Sequence, residues 1–256
     1  MKIKFLLLAS AFLLVTACKT PLNIAKVSPE KNISLSKDLP EDQRFKSMIE
    51  PYKQEVEGKM NTKLSHTSVD LNKQGDNSNL GNLLADYTFE GADEWAKKNG
   101  ITGGVDAAVI NIGGIRSTIG AGDVLTKHVY EVMPFENEVV IMKMKGADLK
   151  GLFEYYLKTQ KNNPVSHLYI ETDNDKIIKE LVNGKEVIAT QDYYIATSDY
   201  LALGGDNMAF FGKGELISTG IRLRDLFLDK FQASPEIVAP KDIRLNFKNK
   251  KNKTNE

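Results

Sequence analysis

Cysteine occurs once in the 256 residues, at position 18. A single thiol excludes an intramolecular disulfide, so a packed core has to hold the fold. Histidine is almost as scarce: His66, His128 and His167 stand far apart, in no Asp-x-His or Gly-Asn-His-Asp context. Hard divalent metals need several oxygen and imidazole donors converging on one point, and the chain is not spaced to provide them. Neither sign of charge dominates, with 34 basic and 34 acidic residues. That balance excludes the global basic field that drives nucleic-acid binding. The longest apolar run, Phe5 to Val15, falls short of the ~20 residues that span a bilayer.

What that run does suit is a secretory signal. Met1-Lys2-Ile3-Lys4 is basic, the apolar stretch follows, and Thr16-Ala17-Cys18 places small residues before a cleavage point. The cysteine directly after Val15-Thr16-Ala17 resembles a bacterial lipobox, in which Cys18 is lipidated and becomes the mature N-terminus. The alternative is a soluble secreted chain in which Cys18 is removed or incidental. The resemblance implies residues 1–17 as a lipoprotein signal peptide and attachment to the membrane of a bacterial cell envelope, outside the cytoplasm. Residues 18–43, rich in Lys, Ser, Pro and Asn, suit a flexible tether. Residues 44–247 suffice for one domain with a proper core, and 248–256 form a basic, solvated tail.

Within that domain strands and helices alternate without repeats, which predicts a single α/β domain with a mixed sheet and packed helices. Phe45, Met48, Ile49, Tyr52, Val56 and Met60 follow helical spacing, with Pro51 expected to bend the helix. Lys63–Asp70 alternates like a strand. Asn77 and Ser78 are N-cap candidates for a helix carrying Leu80, Leu83, Leu84, Tyr87 and Trp95. Ala107–Ile110 and Val139–Met144 read as strands, and 147–159 as a helix. Asn183-Gly184 predicts a hairpin between Ile177–Val182 and Lys185–Ile188. Tyr193–Thr197 reads as a strand, Ile221–Phe231 as a helix and Ile243–Phe247 as a last strand.

Three segments carry chemistry. Asn111-Ile112-Gly113-Gly114-Ile115-Arg116 follows a buried strand. Glycines there let backbone N–H groups approach a ligand, and the arginine adds a planar cation for phosphate or carboxylate. Pro134-Phe135-Glu136-Asn137 and Asp199-Tyr200-Leu201-Ala202-Leu203-Gly204-Gly205-Asp206 add two aromatic faces, at Phe135 and Tyr200, and polar groups at Asn137 and Asp206. Each has a plainer explanation. Asn111 and Asp206 could be turn residues, Arg116 a surface ion pair, and Phe135 core. Together they suggest a site for a nucleotide.

With Leu80-Gly81-Asn82-Leu83-Leu84-Ala85-Asp86 upstream, these segments occur in an order that resembles the C-terminal domain of the 5'-nucleotidases. The resemblance runs from about residue 45 to Phe247. It implies a substrate-binding domain in which Phe135 and Tyr200 sandwich the base and Asn137 bonds its edge. Arg116 would lie on ribose or phosphate, and Asp206, after Gly205, would accept from ribose hydroxyls. Complete 5'-nucleotidases carry an N-terminal metallophosphoesterase domain that holds two metals, and the chain has no counterpart of it. The resemblance therefore implies no catalytic residue, metal ligand or cofactor here, with divalent metals only in a partner phosphoesterase.

The pattern is incomplete. Gln74 and Asn77 stand where the family often has an arginine and a glutamate, which removes one phosphate or ribose contact that Lys73 replaces only as a point charge. Ile112 replaces a glycine, and His167 stands where the family tends to have glycine near the base, an expected narrowing of the pocket. Three functions remain open. The first is the nucleotide-binding half of a split 5'-nucleotidase in nucleotide catabolism, served by a separate metallophosphoesterase chain. The second is a free-standing nucleoside-binding lipoprotein, and the third a scaffold that has lost the pocket.

Overall fold

The computed structural model describes residues 26–36 and 38–250. The expectations for Cys18, for the signal at 1–17, for 18–25 of the tether and for 251–256 of the tail lie outside the described residues. Residues 26–36 and 38–42 are exposed and hold no helix or strand. The chain divides into two compact units, residues 1–48 and 49–256.

The elements follow in chain order. α1 spans Gln43–Met60, continues through Pro51 and buries none of its residues. β1 is Lys63–Thr67. α2, Asn79–Lys98, starts where the Ser78 hydroxyl accepts from Gly81 N at 3.2 Å, satisfying one of the free N–H groups of the first turn. Leu80, Leu83, Leu84, Tyr87 and Ala92 recur at helical spacing and are all buried. After it come β2 (Ala107–Val109), β3 (Gly122–Leu125), α3 (Thr126–Val132), β4 (Glu138–Lys145) and α4 (Gly146–Thr159). Then follow β5 (Val165–Ser166), β6 (Leu168–Asp173), β7 (Lys176–Val182), β8 (Asp192–Ser198) and the short α5 (Asp199–Ala202). β9 (Glu215–Arg222), α6 (Leu223–Ala233) and β10 (Leu245–Lys248) complete the fold.

The α/β class is as expected, but among the described residues the strands form three sheets rather than one: β1-β3, β10-β6-β7, and the five-stranded β5-β2-β8-β4-β9. The last is mixed, with β2 parallel to β8 and the other pairs antiparallel. Its central strands are buried on both faces. Ala108, Val139, Ile141 and Ala196 join Leu84, Tyr87, Phe227 and Phe231 in one cluster. Their alternates Ala107, Val109, Val140, Met142 and Ile195 join Leu152, Phe153, Tyr156 and Ile170 in the other. The period-two strand pattern thus feeds a layer on each side, each fully buried Leu, Ile or Phe contributing about 1.5–3 kcal/mol.

Two local expectations change. Asn183 and Gly184 both have positive φ and close a tight turn between Val182 and Lys185, but no second strand follows. β7 instead pairs back on β6 through the Asn174-Asp175 turn. The predicted helix from Ile221 begins at Leu223, because Ile221 and Arg222 still pair with Val139 and Glu138.

One consequence of the strand directions decides where chemistry can sit. β2, β8 and β9 run one way and β4 and β5 the other. The loop after β2, the start of α5, the turn before β4, the segment before β5 and the start of α6 therefore all emerge at the same end of the sheet. Ligands of α/β sheets bind at such carboxyl ends of strands.

Candidate functional site

At that end β2 gives way to Asn111, whose extended backbone (φ −88°) starts a 3-10 turn over Ile112–Gly114. The Asn111 side chain folds back over Gly114, and a Cβ at 114 would stand 3.0 Å from its Oδ1. Gly113, by contrast, is exposed and open. The turn is held by Asn163, fully buried, whose Oδ1 accepts from Ile112 N at 3.0 Å while its Nδ2 donates to the Tyr155 hydroxyl at 3.0 Å. Burial, then the charge of Asp206, pushes that hydroxyl's pKa up to about 12. Arg116 is exposed, donates to Gly113 O at 3.0 Å and lies 5.9 Å over the Phe135 ring. Arg222, Arg224 and Arg244 each hold a carboxylate. Arg116 holds none among the described residues. Half-buried Lys73 points its ammonium at the carbonyl oxygen of Ile115, the residue before Arg116, again with no carboxylate partner among the described residues.

The Phe135 turn is pinned from α6. Arg224 donates to Pro134 O at 3.2 Å, pairs with Glu136 and lies 4.6 Å over Tyr130, while Leu223 N donates to Asn137 O at 2.9 Å. Arg224 pairing holds the Glu136 carboxyl below the usual carboxylate range. The ring itself is 44% exposed and belongs to neither core cluster. Asn137 Nδ2 then donates to Asp199 Oδ1 at 2.7 Å, and the same oxygen accepts from Tyr200 N at 2.7 Å. Tyr200 is 43% exposed. Its hydroxyl donates to Asp206 Oδ1 and accepts from Asp206 N, each at 3.2 Å. Gly205 lies flush against Tyr200, where a Cβ would come within 2.5 Å of its carbonyl oxygen, so only glycine fits. Asp206 follows at φ 54°, with Lys161 Nζ 3.8 Å from its carboxylate.

The nine expected residues thus fall into two groups. Asn111, Gly113, Gly114, Arg116 and Phe135 form one, Tyr200, Gly205 and Asp206 the other, and Asn137 bridges them through Asp199. Sequence reasoning missed Asn163, Arg224, Asp199, Lys161 and Tyr155. Each lies far in sequence from the loop it supports except Asp199, next to Tyr200, whose acidic side chain was the one readable signal.

The departures resolve differently from expectation. Gln74 is exposed. Asn77 does not cap α2; its Oδ1 accepts from Arg244 N and Leu245 N at 2.7 and 2.9 Å and its Nδ2 donates to Leu245 O, fastening β10. Ile112 turns its side chain to the core cluster under α2. His167 makes its contacts with residues other than the candidate ones. At φ 58° its ring stacks on Phe89 (3.7 Å, 14°) with Nδ1 3.0 Å from Ser166 Oγ. It lines a separate cleft of about 320 Å³ with Asp86, Ser166, Tyr169, Asp242 and Arg244, none of them a candidate residue. Burial lowers its pKa. The other histidines are spent elsewhere, His66 on Glu236 at 2.9 Å and His128 as acceptor from Leu125 N at 3.1 Å.

The family described as 5'-nucleotidase, C-terminal domain, matches residues 56–213. The trifunctional nucleotide phosphoesterase protein YfkN of Bacillus subtilis is 30% identical over 191 residues, covering 67% of this chain and 13% of that protein. Protein UshA of Yersinia enterocolitica is 28% identical over 206 residues, 73% of this chain and 34% of UshA. Among solved structures, a 5'-nucleotidase precursor from Thermus thermophilus superposes with a TM-score of 0.67 at 25% identity, covering 83% of this chain and 44% of that one. The chain thus spans about a third or less of these two curated relatives.

Proposed function

We propose, since the chain belongs to the 5'-nucleotidase C-terminal domain family, that it binds a nucleotide and presents it to a two-metal phosphoesterase carried on a separate chain. The base enters between Phe135 and Tyr200, the ribose meets Asp206, and the phosphate lies toward Arg116. Asn111, Gly113 and Gly114 form the floor through their backbone, and Gly205 lets Tyr200 lie close to the Asp206 loop. The phosphoesterase supplies the divalent metals and the activated water; this chain supplies binding and orientation in nucleotide catabolism. Lipid on Cys18 holds it at the envelope membrane, outside the cytoplasm.

One observation carries this reading. Two exposed rings, one on the turn before β4 and one on α5, are joined through Asn137 and Asp199, beside Arg116, an arginine with no carboxylate of its own among the described residues. Rings left 44% and 43% exposed keep surface that a ligand can cover. Base–aromatic stacking is worth about 1–3 kcal/mol per ring.

Titration of the chain with AMP tests it. Phe135→Ala and Tyr200→Ala should each weaken binding about ten- to hundredfold, with little change in thermal midpoint. Unchanged affinity in the folded variants would sink the pocket. In parallel, the pure chain with added manganese should release no phosphate from AMP, and fatty-acid labelling should be lost in Cys18→Ser. Metal-dependent turnover, or a wild type that never takes the label, would overturn the split enzyme or the anchor respectively.

A further inference from the structure

Tyr200 carries more than a ring. Its hydroxyl has one proton to donate and lone pairs to accept with, and both are spent on a single residue. It donates to Asp206 Oδ1 and accepts from Asp206 N, each at 3.2 Å. Gly205 makes room for this, since a Cβ there would fall 2.6 Å from Cζ, the carbon that bears the hydroxyl. A phenylalanine would fill the same space and tie nothing. The residue so tied stands in a costly backbone. Asp206 at φ 54° and Asn207 at φ 65° are two successive residues in the left-handed region, which side chains with a Cβ disfavour. Lys161 Nζ approaches the same Oδ1 but stays 3.8 Å away, beyond hydrogen-bond distance. Asp206 Oδ2 accepts from no group among the described residues, and the side chain keeps 21% of its surface exposed. The hydroxyl therefore fixes one carboxylate oxygen and the backbone behind it, and leaves the other oxygen for a further donor.

We infer that the Tyr200 hydroxyl is a positioning group, which holds the Asp206 carboxylate ready for the sugar hydroxyls of the bound nucleoside. This rests on the nucleotide reading above and adds to it a role separate from that of the Tyr200 ring. Sugar hydroxyls are donors, and a carboxylate accepts from them with the help of its charge. Such an acceptor contributes most when it is held before the ligand arrives, because the ligand then does not have to order it. A loop residue in left-handed backbone, with nothing on its carboxylate, would have to be ordered on binding. The hydroxyl orders it beforehand, and so acts on the sugar only through Asp206.

The experiment is calorimetric titration of the full chain with adenosine and with 2',3'-dideoxyadenosine, repeated on Tyr200→Phe, Asp206→Gly and the double variant. Wild type should bind adenosine at least about tenfold tighter, the value of one hydrogen bond to a charged acceptor. In Tyr200→Phe that preference should fall about fivefold, with dideoxyadenosine little changed because the ring is kept. Asp206→Gly deletes the carboxylate, and glycine accepts the positive φ. The preference should vanish there, and adding Tyr200→Phe should change nothing further, since the hydroxyl has lost the group it acts through. An undiminished preference in Tyr200→Phe overturns the inference, and an enlarged one does so by showing that the hydroxyl competes with the sugar. Equal losses for both ligands overturn it too, as the mark of a merely structural bond. Equal affinity of wild type for the two ligands overturns it whether or not the variants fold, and leaves the nucleotide reading standing. Binding of neither ligand removes that reading as well.

Discussion

Lys73 stands next to the position where the family often has an arginine. The family arginine is missing at Gln74, and Gln74 itself is exposed, yet the preceding residue sends its ammonium to Ile115 O beside Arg116. Two cations beside Ile115, from separate segments and without carboxylate partners among the described residues, form a field that favours phosphate. Lys73→Ala should weaken AMP binding about fivefold, near 1 kcal/mol for a half-exposed charge contact, and leave adenosine unchanged. Equal losses for both ligands would mean that Lys73 only props the loop. Asn163 illustrates the opposite role at the same scale. Fully buried, with both ends of its amide engaged, it sets the Ile112–Gly114 turn before any ligand arrives. Its neighbour Tyr156, whose hydroxyl donates to Asn163 O at 2.8 Å, fixes it from the far side.

Among the elements, α6 governs the Phe135 turn without carrying a ligand residue. Its first residues supply Leu223 N to Asn137 O and the Arg224 guanidinium to Pro134 O and Glu136. Arg222 also reaches Glu136, at 3.0 Å, but from solvent. Arg224→Ala should speed amide exchange at 135–137 and lower nucleotide affinity several-fold, whereas Arg222→Ala, removing an exposed pair worth at most about 1 kcal/mol, should do little. Matching effects of the two variants would refute a clamp at Arg224. Elements with a strong apolar face, α2, α4 and β4, were legible in the sequence because burial on a fixed period leaves a pattern. β9 was not. It is an edge strand, mostly exposed, with Gly220 at φ 72° and a register shift opposite Val139/Val140, so it needs no apolar alternation and shows none.

At the scale of the whole molecule, Arg244 joins parts distant in the chain. Its nearly buried guanidinium holds Asp86 through two bonds of 2.8 Å, Asp242, and the carbonyls of Asn82 and Val165. Arg244→Ala leaves those acceptors unpaired and should cost about 3–5 kcal/mol, read as a lower denaturant midpoint; a loss below about 1 kcal/mol, the size of an exposed pair, would contradict this. The hydrogen bond from Arg244, aided by its charge, lowers the Asp242 pKa. A folded pKa below the unfolded value near 3.9 stabilises fully above that value, and the gain is lost as pH falls through the folded pKa. Wild type should therefore lose stability on acidification below about pH 4 more steeply than Arg244→Ala. Parallel profiles would show that Asp242 contributes nothing.

The sequence by itself determined the class of fold, the buried faces of its main helices and central strands, and the family, because periodic burial and loop motifs are written locally. It also named both rings, the arginine and the glycines, since a close approach such as Gly205 against Tyr200 admits one residue type. What only tertiary structure decided is which of those residues meet. Strand directions bring five segments to one end of the sheet, and side chains without a local signature, Asn163 and Arg224, set them there. Likewise the sequence marked Asn77 and His167 as departures, and only long-range packing showed that one fastens β10 and the other stacks on Phe89. Local pattern records what a residue can do; pairing between segments far apart in the chain settles what it is bonded to.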